Sequence, residues 1–231
     1  MANKENTLQP KDIERHMVTM INPHSRNSEQ YRKLRTNIEM SNQNTTWKMI
    51  SVSALNGSKS KPEIAVNLAA VYAQSGKRTL LIDMDLHHPQ IHEIFTLPNT
   101  NGLTDLVNKE TQLNEGIKNV KENFDVLPAG KRVSFPSDFL MHDDLQLWFN
   151  DLQQQYDKII IDTPPLMRSS DGVIISHYVD GTIITMEARK TKIDDAQNAI
   201  KQFKENGGTL IGAVLTQIRK KDNRHIQYFT K

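Results

Sequence analysis

The segment from Trp47 to Leu68 constrains the fold more than any other part of the chain. Its first residues, from Met49 to Val52, form a short apolar run that predicts a buried strand. Turn-forming residues follow at 56–60, and Pro62 then stands near the start of an apolar helix. The segment therefore predicts a strand, a loop and a helix in direct succession.

This succession is the context of a phosphate-binding loop, or P-loop. Such a loop needs glycines whose backbone N–H groups face the phosphates, a lysine that reaches them, and a hydroxyl for Mg²⁺. Of these only Lys61 is present, because Ser60 precedes it and Pro62 follows it. The next residue, Glu63, is predicted to face the phosphates with a negative charge. Lys61 is the candidate cofactor-binding residue, but without the glycines we expect an ordinary solvated lysine at the helix start.

Composition narrows the class of protein. A chain of 231 residues with regularly alternating elements favours one large α/β domain. The net charge of +2 does not demand nucleic acid as a partner. The absence of cysteine fits a reducing compartment and excludes thiolate metal sites. With a polar start and no apolar run of membrane-spanning length, the chain is expected to be cytoplasmic.

Three regions are predicted along the chain. Residues 1–27 are polar and weakly patterned and predict a flexible N-terminal arm, ordered only by a partner or by docking on the domain. Residues 28–218 form the α/β domain, and residues 219–231 form a basic C-terminal tail. The domain opens with a helix that has Ser28 as its N-cap.

That first helix carries a charged stripe of Glu29, Arg32 and Arg35. A spacing of three residues allows Glu29 to pair with Arg32 within the helix. The same stripe is also suited to meeting charges on a neighbouring subunit. Both interpretations, an exposed charged face and an interface, stay open on the sequence alone.

Carboxylates follow two apolar strands of the predicted sheet. Asp83 and Asp85 end the run at 78–82, and Asp162 ends the run at 158–161. Acids at the carboxyl ends of parallel strands belong at a ligand crevice, although such acids are frequent in any α/β fold. Further elements are predicted as strands at 123–128, 182–186 and 210–215, and as helices at 136–140, 145–156 and 194–203. The alternation predicts a mostly parallel sheet with helices on both faces.

Three histidines lie shortly after the first pair of acids. His88 and His92 have the spacing of one helical turn, and His87 precedes them. This spacing suits a metal site, but no third ligand is evident. Solvated histidines are the favoured interpretation.

Several motifs together resemble the bacterial tyrosine kinases of capsule and exopolysaccharide synthesis. They are the Asp83-Met84-Asp85 motif with Pro89, the Ile161-Asp162-Thr163-Pro164-Pro165 motif with Asp171, the Pro136–Leu140 segment, and the Glu29, Arg32, Arg35 helix. The resemblance runs from about Ser28 to Leu215 and implies a P-loop NTPase-like fold.

The resemblance also implies roles for these residues. Asp83, Asp85 and Asp162 would be catalytic, with Asp85 and Asp162 handling Mg²⁺ and Asp83 helping to deprotonate a tyrosine. The Glu29, Arg32, Arg35 helix would join subunits into a homo-oligomeric ring. The implied partner is the cytoplasmic segment of a membrane-bound polysaccharide chain-length or activator protein, which would bring the chain to the membrane.

This chain departs from the family pattern at residues that would bind the nucleotide and at the tail that would accept the phosphate. The family pattern Pro-Gly-x-Gly-Lys-Ser-Thr is replaced at residues 57–63, so its two glycines and its metal-binding hydroxyl are lost. His87 stands where arginine is expected, and Thr216 where an asparagine near the base is expected. The tyrosine-rich tail is reduced to Tyr228, the phosphoacceptor candidate. Binding of ATP and Mg²⁺, implied by the resemblance, is therefore expected to be weak or absent.

Three functions are consistent with these features. The first is a catalytically impaired pseudokinase that regulates capsular or exopolysaccharide synthesis through assembly. The second is an active ATP-dependent tyrosine autokinase with an unusual loop. The third is a partitioning-type ATPase, which is not expected to carry the Glu29 helix or the Pro136–Leu140 segment. The first is favoured, because the missing family residues all serve a single reaction, the transfer of phosphate from ATP to tyrosine.

Overall fold

The structure is a computed structural model that describes residues 16–41, 46–57 and 60–218. Throughout these ranges, no helix is both long enough and apolar enough to cross a lipid bilayer. The charged tail at 219–231 and the phosphoacceptor candidate Tyr228 lie outside the described residues.

Seven strands of the described chain form one sheet. They are β1 (Met49–Ala54), β2 (Thr79–Asp83), β3 (Lys118–Lys121), β4 (Phe124–Leu127), β5 (Lys158–Asp162), β6 (Gly181–Glu187) and β7 (Leu210–Thr216). Their order across the sheet is β3-β4-β2-β5-β1-β6-β7. Every neighbouring pair is parallel except β3 and β4, which are antiparallel. The predicted mostly parallel sheet is confirmed.

Helices connect the strands and cover both faces of the sheet. They are α1 (Val18–Ile21), α2 (Arg26–Met40), α3 (Lys61–Ala73), α4 (Ile91–Ile94), α5 (Leu103–Val107), α6 (Leu113–Gly116), α7 (Pro136–Leu140), α8 (Asp143–Gln155), α9 (Asp171–Ser176) and α10 (Ile193–Glu205). One core lies between the sheet and α3, where Ile50, Val52 and Leu81 are fully buried. The other lies between the opposite face and α8, around Met49, Ile159 and Phe149.

Helix α3 is the most buried of the described helices that are longer than six residues. All its residues except Glu63 are buried, because the sheet covers one side and α1 and α2 cover the other. A helix that is apolar all round is stable only in such an enclosed position. This enclosure fixes the first residue of α3, Lys61, above the carboxyl ends of the strands.

The start of the first long helix differs from the sequence prediction. Helix α2 begins at Arg26, and its N-cap is Ser25 rather than Ser28. Thr19 is fully buried, and both its N–H and its hydroxyl donate to Oδ1 of Asn67 in α3, at 2.9 and 2.8 Å. The described part of the predicted arm, residues 16–27, is therefore docked on the domain, which is one of the two sources of order expected for it, and the boundary at residue 27 stays a prediction.

Candidate nucleotide site

The three predicted acids converge at one edge of the sheet. Asp83 ends β2 and is the register partner of Asp162, which ends β5, and Asp85 follows two residues after Asp83. All three are buried, at 0%, 5% and 1% exposure for Asp83, Asp85 and Asp162. The predicted position of these acids at the carboxyl ends of two parallel strands is confirmed. Their chemical roles stay predictions.

Lys61 lies between two of these acids. Its Nζ atom is 3.0 Å from Oδ2 of Asp85 and 2.9 Å from Oδ2 of Asp162, and the residue is 4% exposed. The expectation of a solvated lysine was wrong. Two buried carboxylates need a counter-cation, and the loop delivers this lysine to them. Burial lowers the pKa of Lys61, but the charges of Asp162 and Asp85 outweigh that effect and raise the pKa overall.

Asp83 is held by the main chain rather than by Lys61. One of its oxygens accepts from the N–H of Asp85 at 3.1 Å, and the other accepts from the N–H groups of Gln90 and Ile91, both at 3.0 Å. Burial and the charge of Asp162 raise the pKa of Asp83 to about 8. The carboxyl group thus organises the turn between β2 and α4.

Asp162 has one oxygen that Lys61 does not satisfy. Its Oδ1 atom is buried and has no hydrogen-bond partner among the described residues. Burial raises the pKa of Asp162 to about 6, although the Lys61 charge opposes the rise. An unpaired buried carboxylate oxygen is a ligand of the kind that Mg²⁺ prefers. Asp85 and Asp162 are therefore the residues that would hold a divalent cation if Lys61 withdrew.

The described part of the loop is tied down by two side chains from elsewhere in the chain. A methyl group on Cα of Gly57 would lie 2.5 Å from Nη2 of Arg168, so the guanidinium rests directly on this glycine. At the other end, the amide of Gln217 donates to Oγ of Ser60 at 3.3 Å. Sequence reasoning missed Arg168 and Gln217. The available signal was that both follow strands whose carboxyl ends meet at this edge.

Pro62 and Glu63 stand at the start of α3 in place of the two hydroxyl residues of the family pattern. Pro62 is a buried second helical residue, where its ring offers neither an N–H nor a hydroxyl. Glu63 accepts a hydrogen bond from the hydroxyl of Tyr31 in α2 at 3.2 Å. The predicted placement of Glu63 against the phosphates was wrong, because this hydrogen bond draws its carboxylate towards α2.

In the arrangement that the described residues adopt, the site does not fit a magnesium nucleotide. The carboxylates suit the metal, but the position between them holds the Lys61 ammonium. On the phosphate side, Pro62 supplies neither an N–H nor a hydroxyl. The arrangement is an ion cluster in which one ammonium lies between two carboxylates.

The histidines do not gather into a metal site. Nε2 of His87 lies 2.8 Å from Oδ2 of the fully buried Asp171, whose other oxygen accepts from Oγ of Ser137 at 2.7 Å. Within the described ranges, no group of three His, Cys, Asp or Glu side chains has the geometry to hold a metal ion. Asp171 instead links the loop after β2 to α7 and α9.

The charged stripe on α2 makes contacts within the chain. Arg32 lies 3.2 Å from Glu29 and also donates to the carbonyl of Pro23. Arg35 donates to the carbonyl of Val71 near the end of α3 at 2.6 Å. The predicted pairing of Glu29 with Arg32 is confirmed. An interface role for the stripe stays a prediction.

Comparison with known proteins places this architecture in a family. A family model described as an AAA domain matches residues 47–210. The putative tyrosine-protein kinase CapB of Staphylococcus aureus is 32% identical over 230 residues, covering 99% of this chain and 98% of that protein. The tyrosine-protein kinase YwqD of Bacillus subtilis is 33% identical over 221 residues, covering 94% and 91%.

Solved structures agree with this assignment. The chimerical protein CapA2B2 superposes with a TM-score of 0.85 at 28% identity, over 89% of this chain and 91% of that one. Its fold therefore extends across nearly all of the described domain. The strand-end acids, the P-loop-like segment and the relatives that match along the whole chain lead to one conclusion. The chain belongs to the family of bacterial tyrosine-protein kinases.

Proposed function

We propose that this chain regulates capsular or exopolysaccharide synthesis as a catalytically impaired member of the kinase family. It acts by assembling with a membrane partner and with copies of itself rather than by transferring phosphate. The observation that carries this proposal is the position of the Lys61 ammonium, 3.0 Å from Asp85 and 2.9 Å from Asp162.

The Lys61 contacts oppose nucleotide binding directly. A lysine that is to reach a phosphate must first leave two buried carboxylates, and separating such a pair costs several kcal/mol unless another cation replaces it. Mg²⁺ would have to displace the same ammonium. Mg²⁺ therefore competes with Lys61 for the two carboxylates, and the phosphates compete with the two carboxylates for Lys61.

The altered loop sequence also provides fewer hydrogen bonds to the phosphates. A hydrogen bond to a charged group is worth roughly 1.5–3 kcal/mol, so losing two of them weakens binding about a hundredfold to more than a thousandfold. Pro62 removes one backbone donor and the metal-binding hydroxyl together. Cellular ATP then no longer guarantees an occupied site.

The proposed assembly depends on residues of α2, which lie outside the altered loop. Glu29, Arg32 and Arg35 retain the spacing that the resemblance assigns to a ring interface. The implied partner is the cytoplasmic segment of a membrane-bound chain-length or activator protein, which would hold this chain at the membrane. Binding to that partner needs no nucleotide in this account.

An active tyrosine kinase is the second candidate, and one observation favours it. Asp83, Asp85 and Asp162 are all present and converge at one edge of the sheet. In that case Asp85 and Asp162 would hold Mg²⁺, Asp83 would assist deprotonation, and Tyr228 would receive the phosphate.

Autophosphorylation distinguishes the two candidates. The unaltered chain is incubated with Mg-ATP and phosphate on Tyr228 is measured by mass spectrometry. We expect none, whereas a chain carrying Ser58→Gly, Ser60→Gly, Pro62→Ser and Glu63→Thr together is expected to gain nucleotide binding. Phosphorylation of Tyr228 in the unaltered chain, abolished by Asp162→Asn, would establish the active kinase instead.

A further inference from the structure

The sequence pair Asn-Gly occurs three times in the chain, at residues 56–57, 101–102 and 206–207. In such a pair the backbone nitrogen of the glycine can attack the side-chain amide carbon of the asparagine, because glycine lacks the Cβ atom that hinders the approach. The attack joins the glycine nitrogen to Cγ of the asparagine and expels the amide nitrogen, which leaves as ammonia with the proton of the glycine N–H. Water then opens the resulting succinimide at either carbonyl and leaves aspartate or isoaspartate.

Two of the three pairs are held by hydrogen bonds that oppose this reaction. Gly102 is buried, and its N–H donates to Oδ2 of Asp105 at 2.9 Å. The N–H of Gly207 donates to the main-chain carbonyl three residues earlier at 3.0 Å. The side-chain amide of Asn206 also donates to the carbonyl of Gln202 at 2.8 Å. A hydrogen-bonded N–H must give up its bond before its nitrogen can attack, so these contacts slow the reaction.

The third pair, Asn56 and Gly57, is open to solvent. It lies in the loop that follows β1, and both residues are exposed. Within the described ranges, no group accepts a hydrogen bond from the N–H of Gly57. Solvent therefore reaches both the attacking nitrogen and the amide that it attacks.

A cation also lies against this third pair. The guanidinium of Arg168 stands where a Cβ atom of Gly57 would lie, with Nη2 2.5 Å and Cζ 2.6 Å from that point. At the corresponding point, Gly102 faces main-chain atoms and Gly207 faces the imidazole of His177. A fixed positive charge stabilises the negative charge that develops on the attacking nitrogen and on the amide oxygen. It also attracts the carboxylate that hydrolysis produces.

We propose that the fold selects Asn56, among the three pairs, as a site of spontaneous covalent modification through a succinimide, promoted by Arg168. The net reaction consumes one water and releases one ammonia, so it needs no enzyme. Its products place a new negative charge in the loop that leads to Lys61, and isoaspartate also reroutes the main chain through the side chain. The proposal holds whether or not the site binds nucleotide, because Asn56 and Arg168 contribute no atom to the Lys61 ion cluster.

Incubation of the full folded chain at mildly alkaline pH, followed by peptide mass spectrometry, tests the choice of site. The other two pairs are measured in the same digest and serve as internal controls. We expect Asn56 to be converted at least about tenfold faster than Asn101 and Asn206, since those pairs must first break hydrogen bonds. Isoaspartate should be among the products. Equal rates at the three pairs, or aspartate alone, would overturn the proposal.

The same incubation in guanidinium chloride separates the effect of the fold from that of the local sequence. Unfolding removes the hydrogen bonds at Gly102 and Gly207 and the contact between Gly57 and Arg168. The three pairs should then convert at rates within about threefold of one another. An advantage of Asn56 that persists undiminished in the unfolded chain would overturn selection by the fold.

Arg168→Gln tests the promoting charge. Conversion of Asn56 is expected to slow by about threefold or more, whereas conversion of Asn206 in the same digest should not change. The matched control is Arg132→Gln, at another exposed arginine, which should leave the rate at Asn56 unaltered. Thermal unfolding of both variants checks that each is folded. A rate at Asn56 that is unchanged or faster in Arg168→Gln would overturn promotion by the guanidinium.

Discussion

Nζ of Lys61 lies 2.9 Å from Oδ2 of Asp162, and both residues are buried. The same ammonium lies 3.0 Å from Oδ2 of Asp85. One lysine therefore forms ion pairs with two of the carboxylates that the family resemblance assigns to Mg²⁺. The consequences for stability, pH dependence and assembly can each be measured.

Removing the Lys61 charge is expected to destabilise the fold. Lys61→Met leaves Asp85 and Asp162 buried without a counter-cation, and breaking a buried ion pair in this way costs about 3–5 kcal/mol. Urea unfolding measures the loss. Lys109→Met is the matched control, because the side chain of Lys109 is 78% exposed in its pair with Asp144. A cost equal to that of the control would show that the lysine does not stabilise the cluster.

The free energy of unfolding is expected to depend on pH through Asp83. Its pKa is raised to about 8 in the folded chain, whereas an aspartate in an unfolded chain has a pKa of about 3.9. The folded state therefore holds more protons between these values, so the stability contributed by Asp83 is present below about pH 4 and is lost as the pH rises to about 8. Urea titrations of the unaltered chain and of Asp83→Asn measure this contribution as a difference.

Asp83→Asn should flatten the decline of stability between about pH 4 and 8. Asp151→Asn, at an exposed residue of α8, should leave the slope unchanged. A steeper decline in Asp83→Asn than in the unaltered chain would show that the sign of the shift is opposite.

The docked N-terminal segment is expected to depend on Asn67. Besides accepting from Thr19, this buried amide donates to the carbonyls of His16 and Glu63 at 2.7 and 2.8 Å. Asn67→Ala leaves several of these groups without a partner and should cost roughly 2–4 kcal/mol. Hydrogen exchange at residues 16–21 should accelerate, whereas Asn206→Ala at an exposed amide should change neither quantity. Unchanged exchange at 16–21 would show that the segment is held by other contacts.

The stripe on α2 is expected to support self-association. Light scattering should show an oligomer that Arg32→Ala shifts towards monomer, because its charge is lost from the predicted interface. Arg35→Ala should also lower stability by about 1–2 kcal/mol, since its hydrogen bond to Val71 lies within the chain. Asn37→Ala, an exposed change on the same helix, should affect neither property. A monomer at every concentration would refute the predicted interface.

The sequence was sufficient where a local pattern determines the structure. The apolar runs before Asp83 and Asp162 identify buried parallel strands, and parallel strands must bring their carboxyl ends to one edge. Pro62 similarly marks the start of α3. The acid cluster and the mostly parallel sheet followed from these signals.

Other features depend on contacts between distant parts of the chain. The burial of Lys61 follows from the packing of α3 over β2 and β5, which residue type alone does not reveal. Arg168 and Gln217 reach the loop from separate connections. Strand β3 and the short helices α4, α5, α6 and α9 span four to six residues, too few for a periodic pattern to identify.

Calorimetric titration of the unaltered full chain with Mg-ATP tests the central claim most directly. If Lys61 occupies the cation position and the loop offers no phosphate cradle, the heats should match dilution up to about millimolar nucleotide, equivalent to less than ~4 kcal/mol of binding free energy. The chain with Ser58→Gly, Ser60→Gly, Pro62→Ser and Glu63→Thr should give a saturable isotherm under the same conditions. Saturable binding by the unaltered chain at micromolar nucleotide would contradict the account and would favour an active kinase instead.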